Sequence, residues 1–170
     1  YTQEDVGEHT YTVKETSPSG LGITVDDTVY TVTVEVADNG DGTLAVEATG
    51  ANHTKLDFTN TYEAVGEITF KGTKTIKGRD MTEDDVFTFV VMEGETEIAT
   101  VSNDATGAIA YPTIEYTLAD VGTNTYTVKE TAGNMAGVTY DKTVHTVTVE
   151  ITDNGDGTLT ATASENATAL

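Results

Sequence analysis

The sequence predicts an all-β chain, a β-sandwich repeated along the polypeptide. Three observations predict it. Threonine fills about one position in five of the 170 residues, and Thr with Val and Tyr favours pleated strands. Apolar and polar residues alternate in short runs with no helical period. The runs are separated by turns rich in Gly, Asn and Asp, with DNGDGT occurring twice.

The repeat sets the organisation. Residues 1–16 read YTQEDVGEHTYTVKET and residues 116–131 read YTLADVGTNTYTVKET. The match runs on without a gap through VYTVTVEVADNGDGTL (29–44) and VHTVTVEITDNGDGTL (144–159). Residue i corresponds to residue i+115, and roughly 30 of the first 55 positions are identical. A period of that length is domain-sized rather than solenoid-sized, so the chain is an array of globular modules. The window is out of phase with the repeat. Residues 1–62 are expected to be the C-terminal half of one module, 63–67 (EAVGE) a linker, and 68–170 a second module that stops before its own FTNTY segment. On this reading the chain is a piece of a longer protein.

In the second module the expected strands are 68–77 (ITFKGTKTIK), 86–92 (VFTFVVM), 97–102 (EIATVS), 108–114 (AIAYPTI), 124–131 (NTYTVKET), 143–152 (TVHTVTVEIT) and 158–164 (TLTATAS). Each alternates or is rich in β-branched residues. EGE, NDATG and DNGDG mark the turns between them. Helical turns are expected at TEDD (82–85) and TLADVG (117–122), where a Thr precedes an acidic first turn. Many short strands at close spacing mean a sandwich or barrel.

Composition narrows the function. The net charge is −21, from 29 acidic against 8 basic residues. Such a surface repels nucleic acid and anionic membranes. No cysteine is present, so disulfides, thiolate metal sites and thiol nucleophiles are excluded. No apolar run reaches the roughly 20 residues of a membrane span. His9, His53 and His145 are isolated, and His145 stands where the other copy has Tyr30. The DNGDGT loops are acidic, yet they lack the alternating ligands and downstream Glu of an EF-hand and read as hairpin loops. No metal or cofactor is expected. No Ser-His-Asp spacing or paired-carboxylate constellation repeats, which disfavours a hydrolase.

Strand parity singles out polar residues on apolar faces. Ile68, Phe70, Gly72, Lys74 and Ile76 share one face of the first strand, so Lys74 points inward. Tyr126, Val128 and Glu130 share a face, as do Tyr11, Val13 and Glu15 in the other copy. Phe58, Asn60 and Tyr62 do the same in FTNTY. Buried Lys, Glu and Asn are costly unless they satisfy one another. Together they are also a reaction set. Burial favours an uncharged amine and an uncharged acid, and a neutral amine is a nucleophile. The acid could hydrogen-bond the Asn carbonyl, the amine attack it, and ammonia leave, with Glu carrying the proton to the leaving group. The blander readings are a solvated edge lysine, a bulge near Gly72 that turns Lys74 outward, a Glu130 paired with any cation, and an Asn60 bonded to backbone.

The strings FKGTKTIKGRDMTEDDVFTFVV, NDATGAIAYPTIEYTLADVGTNTYTVKE, TYDKTVHTVTVEITDNGDGTLTA and FTNTY together resemble the streptococcal-type pilin isopeptide-linkage domain, a CnaB-like (inverse Ig-like) β-sandwich of Gram-positive surface proteins. The resemblance covers essentially the whole chain. It implies a cross-linking Lys in the first strand, a catalytic Glu in the YTVKE strand and a cross-linking Asn in the terminal strand. Carried over, these are Lys74, Glu130 with its copy Glu15, and Asn60. It also implies a stalk or pilus module at the cell surface, with neighbouring repeats as partners and no enzymatic role beyond the self-directed bond. The second module's Asn is expected near position 175, beyond Leu170, and the first module's Lys upstream of Tyr1. Strand donation from another copy, joining Asn60 of one chain to Lys74 of the next, is the alternative partnership. A ligand-binding adhesin without a cross-link is the runner-up function.

Overall fold

The computed structural model describes residues 1–50 and 53–164. The chain divides into two compact units, Tyr1–Tyr62 and Glu63–Leu170. The only helical elements among the described residues are two 3-10 turns, Gln3–Asp5 and Leu118–Asp120. Each is headed by a threonine whose backbone N–H and hydroxyl bond the aspartate three residues on. No helix among the described residues is long and apolar enough to cross a membrane.

The first unit holds β1 (Gly7–Lys14), β2 (Ile23–Thr24), β3 (Val29–Asp38), β4 (Leu44–Thr49) and β5 (Thr61–Tyr62). Its main sheet has the order β1-β3-β4, all antiparallel. The DNGDGT loop closes the β3–β4 hairpin, with Asn39 N–H on the Thr43 carbonyl at 3.1 Å. A separate short ladder joins β2 to β5, pairing Ile23 with Tyr62 and Thr24 with Thr61. Among the described residues of this unit only Val36 is fully buried.

The second unit holds β6 (Val65–Thr73), β7 (Thr88–Glu93), β8 (Thr96–Ser102), β9 (Ala108–Thr117), β10 (Gly122–Glu130), β11 (Val144–Asp153) and β12 (Leu159–Ala163). Five strands form a sheet in the order β12-β11-β10-β7-β8, and β6 pairs with β9 as a two-stranded ribbon. The ribbon packs on the sheet through aromatic rings: Phe70 lies 5.5 Å from Tyr126 of the sheet, edge-on, and 6.3 Å from Tyr111 of its own ribbon. Phe87, Val91, Val128, Val147, Val149 and Ile151 complete the core. At the ribbon's near end Gly66 lies against Leu159, whose carbonyl oxygen would be 2.7 Å from a Cβ there, so only glycine allows this approach.

The ribbon departs from the expected first strand in two ways. It begins at Val65, so Val65, Gly66 and Glu67 of the expected linker pair with Thr117, Tyr116 and Glu115. It also ends at Thr73, leaving Thr75, Ile76 and Lys77 outside the ladder. A bulge near the middle accounts for the local twist: Thr69 pairs with Thr113 but Lys71 pairs with Ala110, so Tyr111 and Pro112 together oppose Phe70. Proline has no N–H to lose at such a place. The helical turn expected at 82–85 is a simple turn, with Asp85 N–H on the Thr82 carbonyl at 3.0 Å.

Candidate cross-link site

Lys74 is the first residue past β6. Its backbone N–H donates to the Gly107 carbonyl at 2.7 Å, which extends the ladder by one bond and keeps the strand's parity. Gly107 has φ +88°, and a Cβ there would fall 2.2 Å from the Lys74 carbonyl oxygen. Glycine is therefore required for Lys74 to sit where it does. The Lys74 ammonium reaches across the core and donates to Glu130 Oε2 at 2.5 Å, with the two side chains only 13% and 3% exposed. The other oxygen, Glu130 Oε1, is buried with no partner among the described residues. An orphaned carboxylate oxygen in a core is expensive, and this one belongs to the same carboxyl group that holds the lysine.

The lysine's surroundings are held by a network that residue patterns alone do not signal. Phe87 lies under the ammonium, 4.4 Å from ring centroid to Nζ, and stacks at a tilt on Tyr140. Asn103 is buried and fixes Phe87 by accepting its backbone N–H at 2.8 Å. The Asn103 amide also donates to the carbonyls of Asp85 and Asp104. Asp85, itself buried, takes a bidentate pair from Arg79 at 2.6 and 2.7 Å and the Thr82 N–H at 2.8 Å. The guanidinium and that N–H hold its carboxyl well below the usual carboxylate range. In the sequence Asn103 and Asp85 read as turn residues; nothing local marks them as buried.

In the first unit the same glutamate position holds a different side chain. Asn60 Nδ2 donates to Glu15 Oε1 at 2.8 Å, and Asp26 N–H donates to Asn60 Oδ1 at 2.8 Å. The contact differs from the sequence expectation, in which the acid bonds the amide carbonyl. A backbone N–H can only donate, so it takes the carbonyl oxygen and leaves the NH₂ to the carboxylate. Asn60 is exposed rather than inward-facing, and Glu15 is half-buried. Phe58 and Tyr62 are half-buried, but Asn60 between them is exposed and precedes the short strand β5, so the inward face expected of FTNTY is not closed over it.

Lys74 and Glu130 are thus brought together in one unit, and Glu15 and Asn60 in the other. The residue missed from sequence is Asp26. Its signal was present: an Asp two residues before a Thr recurs in both copies, as Asp26/Thr28 and Asp141/Thr143. Asp141, Thr143 and His145 line a cavity of about 70 Å³ together with Lys74 and Glu130. Among the described residues no group of three ligating side chains converges. The DNGDGT aspartates are occupied by their own loops: Asp38 accepts from Gly40, Asp41 from Thr43 and Asp156 from Thr158.

No curated protein matches the chain. A family model does, twice, over residues 1–63 and 70–169, and its description is FctA, the Spy0128-like isopeptide containing domain. The two matches follow the two units and leave only a few residues between them. The chain belongs to the FctA family of Spy0128-like isopeptide-containing domains, with an all-β sandwich fold.

Proposed function

We propose that this chain is a structural stalk or pilus module of a bacterial surface protein, closed by autocatalytic Lys–Asn isopeptide bonds. One observation carries the reading. The two copies of a single glutamate hold the two different reactants, Lys74 on Oε2 of Glu130 and the Asn60 amide nitrogen on Oε1 of Glu15. Related by the 115-residue repeat, one copy of the glutamate holds an amine and the other holds an amide. The orphaned Oε1 of Glu130 is then the place for an asparagine NH₂.

The chemistry follows from that placement. A proton passes from Lys74 Nζ to Glu130, the freed amine attacks the asparagine Cγ, and the new C–N bond forms as the carbonyl electrons move onto Oδ1. The carboxyl group takes the proton shed by the amine and gives it to Nδ2, which leaves as ammonia. A secondary amide remains, uncharged and far cheaper to bury than an ammonium. By the loop-entropy argument used for disulfides, closing roughly 100 residues in this way is worth about 4–5 kcal/mol. Load applied at the termini falls on a covalent bond instead of a ladder of hydrogen bonds. This supplies a staple to a chain with no cysteine. The role is structural, and the net charge of −21 suits an extended, soluble array outside the cell.

Intact mass and peptide mapping of the protein isolated from its source test the reading. The expected result is a Lys74 peptide joined to an asparagine peptide, short of the summed mass by about 17 Da, one ammonia. The asparagine's identity separates a staple within one module from a bond between copies. A Lys74 peptide that is never joined overturns the reading in favour of a plain adhesive sandwich.

A further inference from the structure

The asparagine amide of the first unit is held at both ends, and the second holder is not part of the Lys–Glu–Asn set. Asp26 acts twice. Its backbone N–H binds Asn60 Oδ1, and its carboxylate bonds the backbone on both sides of the contact: Oδ2 accepts Thr59 N–H at 2.8 Å and Oδ1 accepts Thr28 N–H at 2.9 Å. The residue preceding the asparagine and the turn that carries the donor are thereby tied to one side chain. These bonds, the Thr28 hydroxyl first, hold the Asp26 carboxyl below its ordinary range, so the acceptor is ionised at neutral pH.

The second unit repeats one arm of this arrangement beside the lysine. Asp141 Oδ1 accepts Thr143 N–H at 2.9 Å and the Thr143 hydroxyl at 2.6 Å, the counterpart of the Thr28 contact. Asp141 lines the cavity that Lys74 and Glu130 share, and one wall of a groove between residues 74–77 and 137–141. Val138 and Thr139 in that wall correspond to Ile23 and Thr24, which pair with Tyr62 and Thr61 in the first unit.

We propose that this aspartate, Asp26 in one copy and Asp141 in the other, builds the oxyanion donor of the amide-forming reaction. Its backbone N–H holds the asparagine carbonyl oxygen while its carboxylate positions that N–H and the strand bearing the asparagine. The proposal rests on the isopeptide reading and divides the labour within it. Attack at Cγ moves an electron pair onto Oδ1, where the N–H already points, and the glutamate is left free to serve the nitrogen that departs as ammonia. A donor in place before attack needs no reorganisation as charge develops. The N–H touches the reacting group, whereas the carboxylate acts through it and is a positioning group.

Two measurements test this. The first needs no reaction. In the chain as it stands, hydrogen exchange of the Asp26 amide is expected to quicken at least about tenfold in Asn60→Ala and to stay slow in Asn60→Asp, which keeps Oδ1. Equal exchange in all three proteins overturns the contact. The second adds a synthetic peptide of residues 56–62 in excess and follows the Lys74 adduct by mass. Asp141→Ala is expected to lower the limiting rate about tenfold or more, and Asp141→Asn, which retains the acceptor for Thr143, to restore most of it. An Asp141→Ala protein that needs more peptide yet reaches the normal limiting rate reduces the aspartate to docking and overturns the proposal. Loss of the adduct in Glu130→Gln with the wild type reactive leaves the isopeptide reading standing. No adduct from the wild type overturns that reading, and the proposed role with it.

Discussion

The segment YTVKET occurs once in each unit, and the two copies have different surroundings. Tyr11 is 45% exposed, while Tyr126, its counterpart, is 1% exposed and lies edge-on to Phe70. Both strands pair with an equivalent β-strand in the same register, Tyr11 with Val32 and Tyr126 with Val147. Among the described residues only β10 has a further neighbour: its other edge pairs with β7, and the β6–β9 ribbon covers its face. Local sequence and local pairing are the same in both units, yet burial is not. The lesson extends to the polar residues. A glutamate at one place in the repeat is a core group bonded to an ammonium in the second unit and a half-buried partner of an exposed amide in the first.

The sharpest way to break the comparison is to delete the tyrosine. Tyr126→Ala removes a ring packed on Phe70 and is expected to destabilise the second unit by about 3–5 kcal/mol. Tyr11→Ala takes away a largely solvated ring and is expected to cost under about 1 kcal/mol. Denaturant titration with hydrogen exchange resolved by residue reads each unit separately, and equal costs would mean that the ribbon does not seal β10.

A smaller difference is expected at the glutamates. Glu130→Ala strands the Lys74 ammonium in a site where its side chain is 13% exposed, at a cost of about 3 kcal/mol. Glu15→Ala leaves an exposed Asn60 amide that water can satisfy, so its effect on thermal unfolding should fall within about 0.5 kcal/mol.

The smallest effects are those of acid. Asp85 in the second unit and Asp26 in the first both have depressed carboxyl values, the former chiefly from Arg79 and the latter chiefly from Thr28. Each contributes stability that is fully present above the ordinary carboxylate range, near pH 4, and lost as pH falls through the depressed value. Amide shifts of Thr82 and Thr59, which donate to these carboxylates, should move only below that range, with Thr82 moving at the lower pH. A transition at or above pH 4 in either amide would show that its aspartate is not held by the bonds described.

By itself the sequence determined the strands, the repeat and which residues share a face. These depend on alternation, β-branching and turn chemistry, all of which act over a few residues. The turn glycines, the DNGDGT hairpins and the inward parity of Lys74 and of Glu130, each within its own strand, follow from such short-range rules. The beginning of β6 at Val65 did not, because EAVGE carries no strand signal and is drawn into the ladder by Thr117, Tyr116 and Glu115, some 50 residues away. The burial of Asn103 beside Phe87 likewise depended on how the β7–β8 hairpin closes and what packs over it, not on any signal in its own turn. The side of the amide that Glu15 contacts was decided by the folded chain too, since the Asp26 N–H holds the carbonyl oxygen. Parity assigns a residue to a face. Whether that face is covered, and which hydrogen-bond partner arrives there, depends on elements far off in sequence that only the folded chain brings together.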